Sequence, residues 1–205
     1  MTTYSQTIGP GGGVNIAAYE NADGSGFAAV VFWARNHSSD ASIRRNGGAL
    51  LHTVVIPKGS TIDSAFYWAR GDSAGNATMD MTFFMNDVDD ANNFSAEADV
   101  TSRVRTSASV KWANTSLNSS CGGALIQSPD LKSIFQEIVD RAGWVSGNEM
   151  CVILRGDTTG TESFVNDDRT PCAPHPYIVI EFTEPTVGGG GGGPQQQAMM
   201  ELIAG

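Results

Sequence analysis

The residues best suited to chemistry form a short acidic loop at 86–93, which reads Asn-Asp-Val-Asp-Asp-Ala-Asn-Asn. Three carboxylates and several amides within eight residues offer the hard oxygen ligands that Ca²⁺ prefers. We therefore take Asp87, Asp89, Asp90 and Asn93 as candidate calcium ligands. The loop lacks the glycine and the closing glutamate that an EF-hand needs at fixed positions. A solvated loop without an ion is the competing interpretation.

Tryptophan offers a second kind of chemistry, because its flat ring can stack on the apolar face of a sugar. Trp33 and Trp68 lie in alternating patterns typical of strands, and Trp144 follows a predicted helix, so a core position is expected for each. Trp112 ends a short predicted strand before a polar loop. It is therefore our candidate for sugar stacking, with burial in the core as the alternative.

The sequence carries few of the common catalytic motifs. It has no HExxH or P-loop, and no GxGxxG that is followed by a helix; the GxSxG spacing occurs at 71–75, but a predicted strand and not a helix follows it. The histidines, His37, His52 and His175, are scattered and have no obvious acid or nucleophile beside them. Two carboxylates could hydrolyse a glycoside, but that requires a separation in space that sequence does not give. We expect a protein that is not an enzyme.

The cysteines do not indicate a metal site. Cys121, Cys151 and Cys172 have no CxxC spacing and no spacing that would join them to a histidine around zinc. Cys151 lies in a predicted strand and is expected to be a buried thiol. Cys121 and Cys172 lie in predicted loops, where a disulfide under oxidising conditions and two free thiols both remain open.

The charge of the chain limits its partners. A net charge of −10 argues against nucleic acid, which needs clustered basic residues. The nearest approach is Arg44-Arg45 with the Arg103/Arg105 pair, and we interpret both as solvated surface. No apolar run is long enough to span a bilayer, and the N-terminal residues lack the features of a signal peptide. We expect no nucleic acid or membrane as partner, and synthesis in a host cytoplasm without a secretory signal.

The elements that must position these residues are mostly short strands. Apolar and polar residues alternate over about eight or nine segments, at intervals typical of a sandwich or jelly roll. The main predicted strands are 27–33, 50–56, 61–69, 79–85, 149–155 and 177–182, with 36–48 as a loop. We therefore expect a mostly β protein, a jelly-roll-like antiparallel β-sandwich over residues 27–184. A Gly-rich N-terminal arm at 1–26 precedes it.

One amphipathic helix is predicted at about residues 129–142. Ser128 suits the N-cap, Pro129 suits the first helical position, and Gly143 suits the end. Its apolar stripe consists of Leu131, Ile134, Phe135, Ile138 and Ala142. The helix is expected to cover one side or end of the sandwich.

The C-terminal end differs in composition from the rest. Residues 185–193 form a Gly-rich linker that ends in six consecutive glycines, which no packed element can use. Residues 194–205 follow as a short tail with the apolar residues Met199, Met200, Leu202 and Ile203. The tail is either disordered or a tethered hook that docks on a neighbouring subunit or another protein. In the second interpretation the four apolar residues bind the partner.

Several segments, taken together, resemble a known family. They are the run IPKGSTIDSAFY at 56–67, the acidic loop through Phe94, the strand 110–112, the helix with its following Gly-Trp, and the strand 176–182. In this order they are similar to the DNRLRE-type, carbohydrate-binding-module-like β-sandwich, over about residues 50–183. Such domains occur on secreted bacterial surface proteins and in bacteriophage virion proteins.

The expected function follows from that resemblance. The absence of a predicted signal peptide and cell-wall anchor favours the virion over the cell surface. We therefore expect a structural protein of a virion, either decorating the capsid or associated with a tail or fibre. It would form homo-oligomers and contact other virion proteins. The alternative is a carbohydrate-binding adhesion module of a cell-surface or extracellular protein, with a host-surface glycan as ligand and calcium as a stabilising ion.

Overall fold

The protein is mostly β, and its computed structural model describes residues 1–8, 17–29, 33–36, 44–71, 79–114, 125–157, 163–166 and 176–186. The strands within these ranges are β1 (Thr2–Thr7), β2 (Ala17–Asn21), β3 (Ala28–Ala29), β4 (Trp33–Asn36), β5 (Arg45–Leu51), β6 (Thr61–Gly71), β7 (Met79–Met85), β8 (Val110–Asn114), β9 (Ile126–Gln127), β10 (Met150–Gly156), β11 (Ser163–Asn166) and β12 (Tyr177–Thr183). The helix in these ranges is α1 (Lys132–Val139). Over the described ranges, no helix is long and apolar enough to cross a bilayer.

Most of the strands form two antiparallel sheets, packed as a sandwich; β11 pairs with β6 and β4, and β4 pairs with β5, so these two strands link the sheets. The first sheet has the order β1-β12-β6-β9, and the second has the order β2-β5-β10-β7-β8. The pairs β1–β12, β5–β10, β6–β9 and β7–β8 are nested along the chain, as if one long hairpin were rolled across both sheets. That nesting is the connectivity of a jelly roll, so the predicted jelly-roll-like sandwich is confirmed.

Aromatic residues fill the core between the sheets. Phe83 stacks on Trp112 with ring centres 5.5 Å apart, and Tyr67 meets the edge of both rings. The helix closes one side of this core with buried Ile134, Phe135 and Ile138, as its apolar stripe predicts. The helix is shorter than predicted, so Ala142 lies beyond its end and is exposed.

The predicted helix start is wrong, because residues 128–131 continue the edge of the first sheet. Ser128 does not cap the helix: its hydroxyl accepts the backbone N–H of Tyr67 at 3.0 Å. Asp130 accepts the N–H of Ala65, also at 3.0 Å. These side-chain oxygens accept N–H groups of β6 that the backbone carbonyls of a neighbouring strand would otherwise accept. Residues 128–131 are therefore held along β6, and α1 begins only at Lys132.

The strand predicted at 50–56 lies earlier in the chain, at Arg45–Leu51, and its first four residues belong to the predicted loop 36–48. Two glycines made this segment look like a turn, but they are strand residues paired on both sides. A Cβ on Gly48 would lie 2.5 Å from Cζ of Phe94, so the absent side chain makes room for that ring. Glycine in a strand often marks such a close approach.

A second, smaller core lies on the outer face of the second sheet. Leu50 of β5, with Cys151 and Ile153 of β10, is covered there by Phe94 and Val100 from residues 86–105, which we name the covering segment. Cys151 is buried, as predicted, and burial raises the pKa of its thiol. The second sheet is therefore apolar on both faces over part of its length.

The segment expected as a Gly-rich arm contributes to the sandwich. β1 pairs with β12 at the edge of the first sheet, and β2 pairs with β5 in the second. Residues 9–16 between them lie outside the described ranges. The predicted strands at 61–69, 79–85, 149–155 and 177–182 match β6, β7, β10 and β12 within about two residues. Of the strand predicted at 27–33, β3 and the first residue of β4 are described.

The contact between Gly48 and Phe94 predicts a specific stability effect. We expect Gly48→Ala to lower the free energy of unfolding by about 1–3 kcal/mol, because the new methyl group meets the ring. Denaturant unfolding measures the loss. In a Phe94→Leu background the ring is gone, and the same substitution should cost clearly less. An equal loss in both backgrounds would contradict the proposed contact.

Candidate functional site

The predicted sugar-stacking residue does not face solvent. Trp112 is 2% exposed and lies between Phe83 and Tyr67 in the main core. Its partner Met81 across β7 and β8 points the same way, so strand alternation places both side chains inward. This prediction is therefore corrected: the ring of Trp112 packs the core. Trp144 is buried, as expected, and donates its indole N–H to the carbonyl of Ile56.

The predicted calcium ligands do not converge on one point. Asp87 and Asp89 both pair with Arg141, which bonds Asp89 through Nε at 2.7 Å. Asp90 accepts the backbone N–H of Glu149 at 2.8 Å. Asn93 contributes only its backbone carbonyl, to Arg103. The described ranges hold no group of three or more histidine, cysteine, aspartate or glutamate residues arranged to bind a metal. The loop is organised by a guanidinium group.

Arg141 ties the acidic loop to the end of the helix. Hydrogen bonds with Asp89 and Asp87 outweigh partial burial and raise the pKa of Arg141. Gly143 follows it, and a Cβ there would collide with the Asp89 carboxylate. A glycine is therefore needed at position 143 for this close approach. It is not needed for a left-handed backbone conformation, because the described residues with positive φ do not include Gly143. The predicted helix stop at Gly143 is replaced by an earlier end at Val139.

The remaining candidates are divided between described and undescribed residues. Met199, Met200, Leu202 and Ile203 lie outside the described residues, as do Cys121, Cys172, His37 and His175. His52 is described: its Nδ1 lies 2.7 Å from Oε1 of Glu149. Its Nε2 is buried without a hydrogen-bond partner in the described structure.

A row of polar residues crosses the outer face of the second sheet, beyond the edge of the second core. Directly paired positions on its five strands carry Glu20, Asn46, Arg155, Thr82 and Lys111. The neighbouring row contains Ala18, Gly48, Ile153 and Phe84, and it is apolar. The outer face of the second sheet therefore changes from apolar to polar between two neighbouring rows, which lie two residues apart along each strand.

Asp157 connects the strands beside this row. Its carboxylate accepts bonds from Lys111 at 2.7 Å and from Arg155 at 2.8 and 3.0 Å, and it also accepts the hydroxyl of Thr82. Burial raises the pKa of Asp157, but the bonds from Lys111, Thr82 and Arg155 outweigh burial, and the pKa falls below its ordinary value. Asp157 is therefore an anion that holds Arg155 in place.

Three arginines meet at the end of this face. Arg44, Arg105 and Arg155 line one cavity together with Asn46, Thr101 and Asp157. We name it the arginine pocket. Arg105 and Arg155 both lie over the ring of Phe84, with guanidinium carbons 5.4 and 5.1 Å from its centre. In a chain of net charge −10, this is a local concentration of positive charge.

The sequence interpretation of these arginines as solvated surface was incomplete. Arg105 is half-buried, and Arg103 lies over Phe94 with its guanidinium carbon 4.3 Å from the ring centre. A signal was available in part, because alternation from Arg44 through Asn46 and Gly48 to Leu50 puts these residues on one face once β5 is placed correctly. Nothing in the sequence indicated that Arg105 would lie beside them.

Comparison with known proteins does not identify the chain. No protein-family model matches it, and no curated protein sequence matches it.

The pairing of Arg141 predicts that the acidic loop depends on this residue. We expect Arg141→Gln to lower the free energy of unfolding by about 1 kcal/mol, because Asp87 and Asp89 then repel each other without a counter-charge. The loss should shrink at high salt. Lys132→Gln, which breaks an exposed pair of 3.8 Å, is the control and should have little effect. If a chelator lowered the melting temperature of the unmodified protein, the loop would hold an ion after all.

Asp157 predicts a dependence of stability on pH. Its folded pKa is below the ordinary 3.8, so its contribution is present above about pH 4 and is lost as pH falls through the folded pKa. We expect Asp157→Asn to cost about 2 kcal/mol at pH 7 and much less near pH 2. Denaturant unfolding across this range measures the difference. Exposed Glu184→Gln is the control. A cost for Asp157→Asn that stays constant with pH would contradict the assignment.

Proposed function

We propose that this chain is a non-enzymatic structural protein of a bacteriophage virion, in which a jelly-roll body carries a C-terminal segment that docks on a neighbouring subunit. The capsid surface and the tail or fibre are the two places for it. The partners are further copies of the chain and other virion proteins. The order of motifs along residues 50–183 suggests the setting, and the arrangement of the body supports the docking role.

The main support is how the last described strand is held. β12 lies between β1 and β6, so backbone hydrogen bonds hold it on both sides. Its buried residues Ile178, Ile180 and Phe182 join the main core. Residues 184–186 then leave the sheet and are exposed. A segment attached to so firmly held a strand can transmit a load or search for a partner without disturbing the body.

The sequence beyond this point suits a tether with an adhesive end. Six glycines extend to at most roughly 20 Å. The apolar residues after them gain little in a monomer, whereas a site on a neighbouring subunit within reach would bury them.

The alternative function is a carbohydrate-binding adhesion module, and the aromatic residue predicted to stack on its sugar is not on the surface. Trp112 belongs to the core. Trp68, expected in the core, lies instead on the outer face of the first sheet; it stacks on Tyr177 at 5.9 Å with nearly parallel planes, which covers part of its ring. The structural role is therefore the better supported of the two.

The docking role predicts that assembly depends on the tail. We expect native mass spectrometry to find oligomers for the full chain and monomers after deletion of residues 188–205. The double variant Leu202→Ser, Ile203→Ser should also be monomeric, because it removes apolar area without shortening the chain. Both variants should keep the melting temperature of the body if it is measured where the full chain is monomeric.

The matched control is a variant in which Gln195 and Gln196 are replaced by serine, which changes the tail but keeps its apolar residues. It should assemble like the full chain. A full chain that stays monomeric at high concentration and binds neutral glycans on an array would instead support the adhesion module. Equal assembly with and without residues 188–205 would refute docking through the tail.

A further inference from the structure

We propose that the arginine pocket binds a small polar ligand that carries an oxyanion next to hydroxyl groups, as an acidic sugar or a sugar phosphate does. This inference goes beyond the proposed assembly function and does not depend on it. It rests on the shape of the cavity, on the Nε atoms of Arg44 and Arg105, which lack an acceptor among the described residues, and on a buried acceptor beside them.

The cavity is large enough for more than a bare ion. Its volume is about 420 Å³, within the range of small-molecule sites. Its side chains are almost all polar, so a hydrocarbon ligand would gain little by entering. The floor is formed by the ends of β5 and β10 and the wall by the covering segment. Arg155 lies in β10, and Arg44 directly precedes β5, so ordered strands position both residues.

Two of the arginines have donors that nothing in the described structure uses. The Nε atoms of Arg44 and Arg105 are buried and have no hydrogen-bond acceptor among the described residues. A buried donor without a partner costs about 1–3 kcal/mol. An oxyanion in the pocket would accept these bonds, and charge-assisted bonds to carboxylate or phosphate are the strongest that a guanidinium group makes.

Arg155, the third arginine, is already oriented by its neighbours. Arg155 bonds Asp157 through Nε and Nη2, which fixes the plane of its guanidinium group. Phe84 lies beneath both Arg155 and Arg105, so neither group has to be ordered when a ligand arrives. Desolvation and the charge of Arg155 lower the pKa of Arg105. An anion would relieve that repulsion.

The pocket also contains an acceptor that an ion without hydroxyl groups, such as sulfate, would not satisfy. Asn46 is 2% exposed, and its Oδ1 has no donor among the described residues. Glu20, paired with Asn46 across the strands, has one buried oxygen in the same condition. A hydroxyl group next to the oxyanion would supply a donor here. Donors and acceptors side by side therefore favour a hydroxylated anion over sulfate, and a sugar supplies more hydroxyl donors for these two acceptors than inorganic phosphate does.

The experiment is calorimetric titration of the full chain with four probes at low salt. The probes are glucuronate, glucose 6-phosphate, inorganic phosphate and neutral glucose. We expect glucuronate, glucose 6-phosphate or both to bind, glucose not to bind, and phosphate to bind more weakly. Binding of glucuronate alone supports a carboxylate ligand, and binding of glucose 6-phosphate alone supports a phosphate ester.

Variants locate the binding. Arg44→Gln and Arg105→Gln should each weaken it by roughly tenfold or more, because each removes a charge-assisted bond. Arg44→Lys keeps the charge and loses the fork, so it should weaken binding less than Arg44→Gln while controlling for folding. Lys132→Gln removes one positive charge from the helix and should leave affinity unchanged.

Three results would overturn the proposal. They are the failure of both anionic sugars to bind, an affinity that Arg44→Gln and Arg105→Gln leave unchanged, and equal affinity for phosphate and the anionic sugars. None of them concerns the oligomeric state, so failure here is distinguishable from failure of the docking role.

Discussion

The contact between Phe94 and Gly48 is the constraint on which the outer half of the structure depends. Because Gly48 has no side chain, the Phe94 ring lies against the backbone of β5. That position anchors the covering segment over Leu50 and Cys151. Arg103 then lies over the same ring and donates to the carbonyl of Asn92 at 2.8 Å. A side chain at position 48 would push the Phe94 ring, and with it the covering segment, away from β5.

What is attached to the covering segment explains the distribution of charge. One end carries Asp87 and Asp89, which meet Arg141 from the helix. The other end carries Arg105, which meets Arg155 and Phe84 on the sheet. An acidic protein thus uses a guanidinium group to order its most acidic loop, and it gathers three others where no carboxylate neutralises them all. Packing against Phe84 keeps Arg105 and Arg155 near one another despite their repulsion.

Sequence patterns predicted the parts of the fold that follow from alternation or from helical spacing. The strands around Tyr67, Phe83 and Ile180 have regular patterns, and so does the stripe of Ile134 and Ile138. The errors arose where a side chain acted on a distant strand. Gly48 resembled a turn until Phe94 was placed on it, and Ser128 resembled a helix cap until β6 supplied a donor.

The site was less predictable than the fold for the same reason. The acidic loop has the composition of a calcium site, and nothing in that composition shows that Asp87 and Asp89 pair with Arg141, more than fifty residues later. The sequence predicts Trp112 at the end of a strand beside a polar loop. In the structure Trp112 pairs with Met81, and both side chains point into the core. The arginine pocket combines Arg44, Arg105 and Arg155, residues far apart in sequence whose proximity depends on the pairing of β5 with β10.

The two proposed functions occupy different sheets, and this separation has a physical consequence. The chain leaves the body from β12 in the first sheet, whereas the arginine pocket lies on the outer face of the second. The main core separates the two sheets, so a partner that holds the C-terminal segment needs no contact with the polar face. A subunit docked through its tail can therefore keep the arginine pocket open to solvent. Because the docking residues and the pocket residues share no side chain, assembly and ligand binding can be altered independently by substitution.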